Sequence, residues 1–155
     1  MKNTIANELQ NVLIVGGGRM GQAIAQGMLR IDGMSADNLT IANPGQEKRD
    51  RIAAELGVRT VASAAAGMPA SCVVLAVKPA KVPEVCAELV DAGIDATTLV
   101  ISIAAGVSTD KIANVLGADV PVVRVMPNTP LLCGCGMSAV SAGSAASDWD
   151  CELVR

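Results

Sequence analysis

Short, mostly apolar runs alternate along this chain with stretches of helical spacing, and that alternation constrains the fold more than any other feature. Residues 12–15, 39–42, 72–77, 99–103 and 122–126 are such runs, with residues 58–61 and 136–141 as further candidates. They are nearly continuous in apolar character instead of alternating with polar residues, so each strand they form must be covered on both faces. Between them fall helical patterns. Met20, Ala23, Ile24, Gly27, Met28 and Ile31 share one helix face, and Gly33 follows where that helix should stop. Residues 46–56 read as a charged helix closed by Gly57, and residues 84–92 as another. Ser108 caps a helix that runs to Leu116 and is closed by Gly117. Strand and helix in repeated alternation predict an α/β fold with a mostly parallel, doubly wound sheet.

Composition narrows the chemistry. The 155 residues suit one domain with its own core, and 51% of them are hydrophobic. There is one Trp and no Phe or Tyr, which leaves no surface for stacking bases. The formal charge of −3 also argues against nucleic acid, which needs a basic footprint. No apolar run reaches the roughly 20 residues that span a bilayer, and residues 1–10 lack the apolar core of a signal peptide. The expected location is cytoplasmic, away from membranes. The five cysteines, Cys72, Cys86, Cys133, Cys135 and Cys151, form no even framework and are expected as thiols. Cys133 and Cys135 make a C-x-C, but with no histidine and no second pair nearby no metal site is expected. The absence of His also excludes, within this chain, catalysis by a histidine base or a Ser-His-Asp triad.

The chemistry-bearing motif is Gly16-Gly17-Gly18-Arg19-Met20-Gly21, a G-x-G-x-x-G placed directly after the first strand and opening the first helix. In that context the pattern is a dinucleotide fingerprint, and the fold becomes a Rossmann-type α/β domain with helices on both faces of the sheet. Gly16 permits the tight turn, Gly18 lets a pyrophosphate approach the backbone, and Gly21 lets the helix lie against the strand. The helix N-terminus then offers N–H groups and partial positive charge to the phosphates. At the end of the second strand, where a carboxylate usually holds the ribose 2′-OH, stands Asn43, followed by Pro44. Lys48, Arg49 and Arg51 follow within two turns. They either attract a 2′-phosphate or are solvated helix charges paired with Glu47, Asp50 and Glu55. Three further strand ends carry unusual residues: Ala76-Val77-Lys78-Pro79, Ile103-Ala104-Ala105-Gly106 and Met126-Pro127-Asn128-Thr129-Pro130. All would lie beyond the C-terminal edge of a parallel sheet, where ligands bind. Lys78 is assigned a backbone or supporting role. The small residues after Ile103 leave room for a flat ring, and Pro127 and Pro130 stiffen a loop around Asn128.

VLIVGGGRMGQAIAQGML, VVLAVKPAKV, VISIAAGVS and VVRVMPNTPLLCGCGMSAV, in that order, resemble the pyrroline-5-carboxylate reductase family from about Asn11 onward. The resemblance implies an NAD(P)-dependent oxidoreductase of the proline-biosynthesis pathway, which reduces the C=N bond of 1-pyrroline-5-carboxylate to give L-proline. NADPH is the expected cofactor, with NADH possible. The family's cofactor contacts map onto Gly16, Gly17, Gly18, Arg19, Met20, Gly21, Asn43, Pro44, Ala76, Val77, Lys78, Pro79, Ile103, Ala104, Ala105 and Asn128. A position that the family often fills with Asn is Ser63 here. No catalytic side chain is assigned. The resemblance also implies a C-terminal helical domain that dimerises and completes the substrate pocket. On that basis residues 1–146 are the cofactor domain, residues 139–147 a small-residue linker, and residues 147–155 the start of a truncated helical domain. Ser147 caps a last helix whose Trp149, Cys151, Leu153 and Val154 have nothing yet to pack on. This chain alone would then bind cofactor but not turn over substrate, and the full-length protein would be a homodimer or larger homo-oligomer. Two alternatives remain at this stage: a β-hydroxyacid-dehydrogenase-like reductase on the same fold, and a non-catalytic NAD(P)-binding module.

Overall fold

The structure, a computed structural model, describes residues 8–128 and 137–155. Its elements in chain order are β1 (Val12–Val15), α1 (Arg19–Met28), β2 (Leu39–Ala42), α2 (Gln46–Leu56), β3 (Arg59–Val61), β4 (Cys72–Leu75), α3 (Val82–Asp91), β5 (Leu99–Ser102), α4 (Thr109–Leu116), β6 (Val122–Pro127), β7 (Ser138–Ala142) and α5 (Asp148–Val154). The seven strands form one sheet in the order β3-β2-β1-β4-β5-β6-β7. Every pairing is parallel except the last, where β7 runs against β6. The order reverses direction between β2-β1 and β4, the switch point at which such sheets open a crevice.

All four residues of β1 are buried, as are those of β4 and β5. Both faces of these strands are therefore covered. On one face Leu13, Val73, Leu75 and Val100 pack against Val85, Cys86 and Leu89 of α3 and Ile112 and Leu116 of α4. On the other, Val12, Ile14, Val74 and Ile101 share a cluster with Ala25 of α1, Ile52 of α2 and the partly buried Leu153 of α5. Each fully buried Leu or Ile contributes roughly 1.5–3 kcal/mol, which is why the unbroken apolar runs dictate a sheet between two helix layers. Register sets the level of the strand ends. Val15 lies opposite Ala42 and Leu75, Leu75 opposite Ser102, and Ser102 opposite Arg124. The C-terminal ends of β1, β2, β4 and β5 thus form one row.

Several expectations shift. β4 stops at Leu75 rather than at residue 77. Lys78 is extended (φ −60°, ψ 144°) because the following Pro79 disfavours helical backbone before it, and residues 76–78 become the turn. α3 starts at Val82, two residues earlier than predicted, since Pro83 is tolerated in a first helical turn. Pro127 closes β6 instead of stiffening a loop, at a strand end where its missing N–H is not needed. The expected linker over residues 139–147 is partly strand: Ala139 to Ala142 pair antiparallel with Met126 to Val123. This is the strand expected over residues 136–141, and its small residues carry no signal for where it stops inside the linker. The last helix does find partners. Cys151, Leu153 and Val154 pack against the core on the α1 face, while Trp149 stays half exposed. Cys133 and Cys135, like Thr129, Pro130 and Gly136, lie outside the described residues.

Cys72, Cys86 and Cys151 are free thiols. Burial pushes the Cys72 thiol up to about 12 and the Cys86 thiol up to about 11, which keeps both neutral and unreactive near pH 7. Among the described residues no helix is long and apolar enough to cross a membrane.

Candidate functional site

The residues singled out in the sequence gather along the row of strand ends. Gly16 follows β1 and donates its N–H to the Ala42 carbonyl at 2.9 Å, while Ala76 donates to the Val15 carbonyl at 2.8 Å. Asn43 donates to Val61 at 2.9 Å and Ile103 to Leu75 at 3.2 Å. The turns after β1, β2, β4 and β5 are therefore laced side by side.

The four glycines of the first turn divide into two kinds. Gly16 has φ +113°, and a Cβ there would stand 2.3 Å from the Ala76 carbonyl oxygen. A Cβ on Gly17 would meet Ile52 Cδ1 at 2.6 Å and Asn43 Oδ1 at 3.2 Å. One on Gly21 would lie 2.0 Å from the Gly16 carbonyl oxygen. Gly16 and Gly21 are required by the backbone around them, and at Gly17 the end of the Ile52 side chain would have to give way. Gly18 is not required: its backbone is ordinary (φ −72°, ψ −177°) and a Cβ there would have nothing within 4 Å. The space beside Gly18 is open, at the N-cap of α1. That helix has no side-chain cap and no acidic residue in its first turn. Its first backbone bond runs from Gln22 N–H to the Gly18 carbonyl at 3.0 Å, leaving the preceding N–H groups unpaired along the helix. Arg19 is exposed beside them. Open space, free N–H donors, a positive dipole end and no carboxylate in the first turn together favour an anion, and a dinucleotide's pyrophosphate fits those properties.

The second turn is built differently. Arg49 reaches back from α2, and its Nη1 donates to the carbonyls of Asn43 at 2.9 Å and Pro44 at 2.7 Å. Its Nη2 donates to Gln46 Oε1. Arg51 pairs with Glu47 at 3.8 Å on the exposed side. Of the three cations only Lys48 has no hydrogen bond or ion pair among the described residues. No carboxylate side chain occupies the end of β2, where Asn43 stands.

The other strand ends contribute backbone more than side chains. Ala76 and Val77 flank Gly16, with Val77 Cγ1 3.2 Å from the position a Gly16 Cβ would take. Lys78 and Pro79 are exposed, and the Lys78 carbonyl accepts from Lys81 N–H at 2.8 Å, a backbone role. Ala104 is buried with its N–H on Ser102 Oγ at 3.3 Å, and Ala105 is exposed. Asn128 sits beyond β6 with Oδ1 accepting from Met137 N–H at 2.9 Å, so its side chain ties β6 to β7. Ser63 Oγ accepts from Ala66 N–H at 3.3 Å and closes a short turn after β3.

Sequence reasoning missed two residues that shape the site, Gln22 and Ile52, and read a third, Arg49, in another role. Gln22 Nε2 donates to the Gly17 carbonyl at 2.8 Å, Ile52 packs under Gly17, and Arg49 clamps the second turn. Only Arg49 carried a signal, and a cation near the end of β2 first suggests a phosphate ligand. A separate cavity of about 590 Å³ lies between α1, the sheet and α5, lined by residues such as Ile24, Met28, Ile101, Val125 and Leu153. It touches none of the glycines of residues 16–21 and is a gap in the helix layer instead of a nucleotide cradle.

Comparison with known proteins agrees with this geometry. The family described as NADP oxidoreductase, coenzyme F420-dependent, matches residues 11–106. The chain is 33% identical over 150 residues to a pyrroline-5-carboxylate reductase of Corynebacterium melassecola, covering 95% of this chain and 55% of that protein. Among solved structures it is similar to a pyrroline-5-carboxylate reductase from Coxiella burnetii (TM-score 0.86, 32% identity, 94% of this chain and 54% of that one). It is also similar to the Plasmodium falciparum pyrroline carboxylate reductase with NADP bound (TM-score 0.80, 25% identity, 95% and 53%). The chain spans about half the length of the curated relatives it matches.

Proposed function

The chain belongs to the family of NADP oxidoreductases, coenzyme F420-dependent, and from that premise we propose that it is the cofactor-binding half of a reductase that uses NADPH to convert 1-pyrroline-5-carboxylate to L-proline. NADH is the weaker alternative. The observation that carries this is the open space at Gly18, beside the uncapped start of α1 and within a packed glycine turn. The substrate assignment rests on the relatives at 33% identity and on the Coxiella structure.

The bound cofactor would supply a hydride to the imine carbon. The chain's own residues bind and orient. The N–H groups of residues 18–21 receive the pyrophosphate. Asn43, which lies against Gly17, and the neighbouring Pro44 receive the adenosine ribose. Ala104 and Ala105 leave a smooth floor for a flat ring, with Ala76, Val77, Lys78, Pro79, Ile103 and Asn128 forming its surround. A protonated cyclic imine is already electrophilic, so holding the two rings at near-attack distance supplies most of the acceleration, up to ~7–11 kcal/mol. A chain without His is compatible with that chemistry.

In this reading residues 1–146 are the cofactor domain, and the helix from Asp148 leads into a helical domain that provides the substrate wall and a homo-oligomeric contact in the cytoplasm. The test compares NADPH oxidation by this chain with that by a version extended to the length of its relatives, both with 1-pyrroline-5-carboxylate. The extended protein is expected to turn over and this chain to bind NADPH with little turnover. Equal rates would place the whole catalytic site within these 155 residues and contradict the division.

A further inference from the structure

We propose that the two basic residues in the first turn of α2 divide the recognition of the adenosine ribose, Arg49 as a positioning residue that fixes the turn and Lys48 as the cation that meets a 2′-phosphate. The proposal rests on the cofactor reading above and assigns the specificity within it.

Arg49 is committed. Its guanidinium donates to two backbone carbonyls, Asn43 and Pro44, and to the side chain of Gln46. Gln46 is itself held, with Nε2 donating to Asp50 Oδ1 at 2.8 Å. A planar fork engaged on three acceptors cannot swing to a phosphate without releasing the turn. What it holds is the part of the site that abuts the glycine turn, since Asn43 Oδ1 lies 3.2 Å from where a Gly17 Cβ would be. Moving that turn moves the ribose for either cofactor.

Lys48 is uncommitted and half-buried. Its Cβ lies 3.9 Å from the position of a Cβ on Gly45, and the side chains of a helix lean toward its N-terminus. The stem therefore starts beside the turn. Gly45 caps α2 with no side-chain bond, and the first-turn acid, Glu47, is paired with Arg51 at 3.8 Å. An ammonium on a flexible stem acts on a phosphate as a point charge, and the contact is lost without disturbing the backbone.

The two roles separate in binding experiments that need no turnover. 2′-Phospho-ADP-ribose and ADP-ribose are titrated calorimetrically into wild type, Lys48→Gln, Arg49→Gln and Arg49→Lys at low and high salt. Lys48→Gln is expected to weaken the phosphorylated ligand about tenfold at low salt and to flatten its salt dependence, leaving ADP-ribose within about twofold. Arg49→Gln is expected to weaken both ligands by a similar factor, so that their ratio stays. Arg49→Lys, which keeps the charge and the helix but offers a single donor group, is expected to show a smaller loss in both. A selective loss of the phosphorylated ligand in Arg49→Gln, or an unchanged ratio in Lys48→Gln, would overturn the division of roles while leaving the cofactor reading intact. Wild type binding neither ligand would overturn the cofactor reading itself.

Discussion

Two helices that follow parallel strands of the same sheet begin in opposite ways. α4 starts at Ser108, whose Oγ accepts from the Lys111 N–H at 3.3 Å, with Asp110 in its first turn. α1 starts at Gly18, with no side-chain bond and no acid. α5 repeats the first pattern through the reciprocal bonds of Ser147 and Asp150, and α2 shares with α1 the lack of a side-chain cap at Gly45, although Glu47 stands in its first turn. A capped terminus satisfies its own donors and gains about 1 kcal/mol. An uncapped one forgoes that gain and leaves its N–H groups and dipole to something outside the chain. Among the described helices three starts are uncapped, those of α1, α2 and α3, and the first two flank Gly17 and Asn43, where the nucleotide is proposed to bind. The capped ones lie elsewhere.

The comparison can be broken most forcefully at Gly21. A Cβ there falls 2.0 Å from a backbone oxygen, so Gly21→Ala is expected to cost roughly 3 kcal/mol by overpacking and to lower the melting temperature by several degrees. An unchanged melting curve would mean that α1 is not held against β1 as described. At α4, Ser108→Ala is expected to cost about 1 kcal/mol with NADPH affinity unchanged by calorimetry. A loss of affinity would show that the capped terminus also serves the ligand. The smallest effect is expected at α2. Gly45→Ser closes that terminus in a position with ordinary van der Waals room, raising stability by a few tenths of a kcal/mol while reducing discrimination between NADPH and NADH. Unaltered discrimination would remove the start of α2 from the phosphate site.

Most of the sheet was legible because burial on two faces writes itself into unbroken apolar runs such as residues 12–15 and 72–75, each followed by a helix stop or cap of known chemistry. Gly57, in the left-handed region at φ +69°, and the Ser108 cap stand where the sequence put them. The glycine turn was legible for the same reason, since its spacing has a strand before it and a helix after it. What escaped was anything depending on tertiary neighbours. β7, Ser-Ala-Val-Ser-Ala, falls where a strand was expected over residues 136–141, but its antiparallel run beside β6 and its reach to Ala142 depend on the ladder that β6 offers. Cys151, Leu153 and Val154 acquire partners only because α5 lies on the α1 face. Arg49 could be seen as a cation near β2, but not as a donor to two carbonyls of the preceding turn. The distinction between Gly18 and its three neighbours was likewise invisible, because one letter stands for both a glycine the fold needs and a glycine it does not.

That distinction offers the most direct measurement. Gly18→Val places two methyl groups in space that the protein leaves open, in a backbone conformation that valine adopts without strain. The NADPH dissociation constant and the melting curve of the cofactor-free protein are measured for wild type and variant together. The open terminus of α1 being the pyrophosphate site, the melting temperatures should agree within a degree or two while affinity falls at least tenfold, about 1.4 kcal/mol. A variant that melts with wild type and still binds NADPH as tightly would contradict the account, because Gly18 would then be needed by neither the fold nor the ligand.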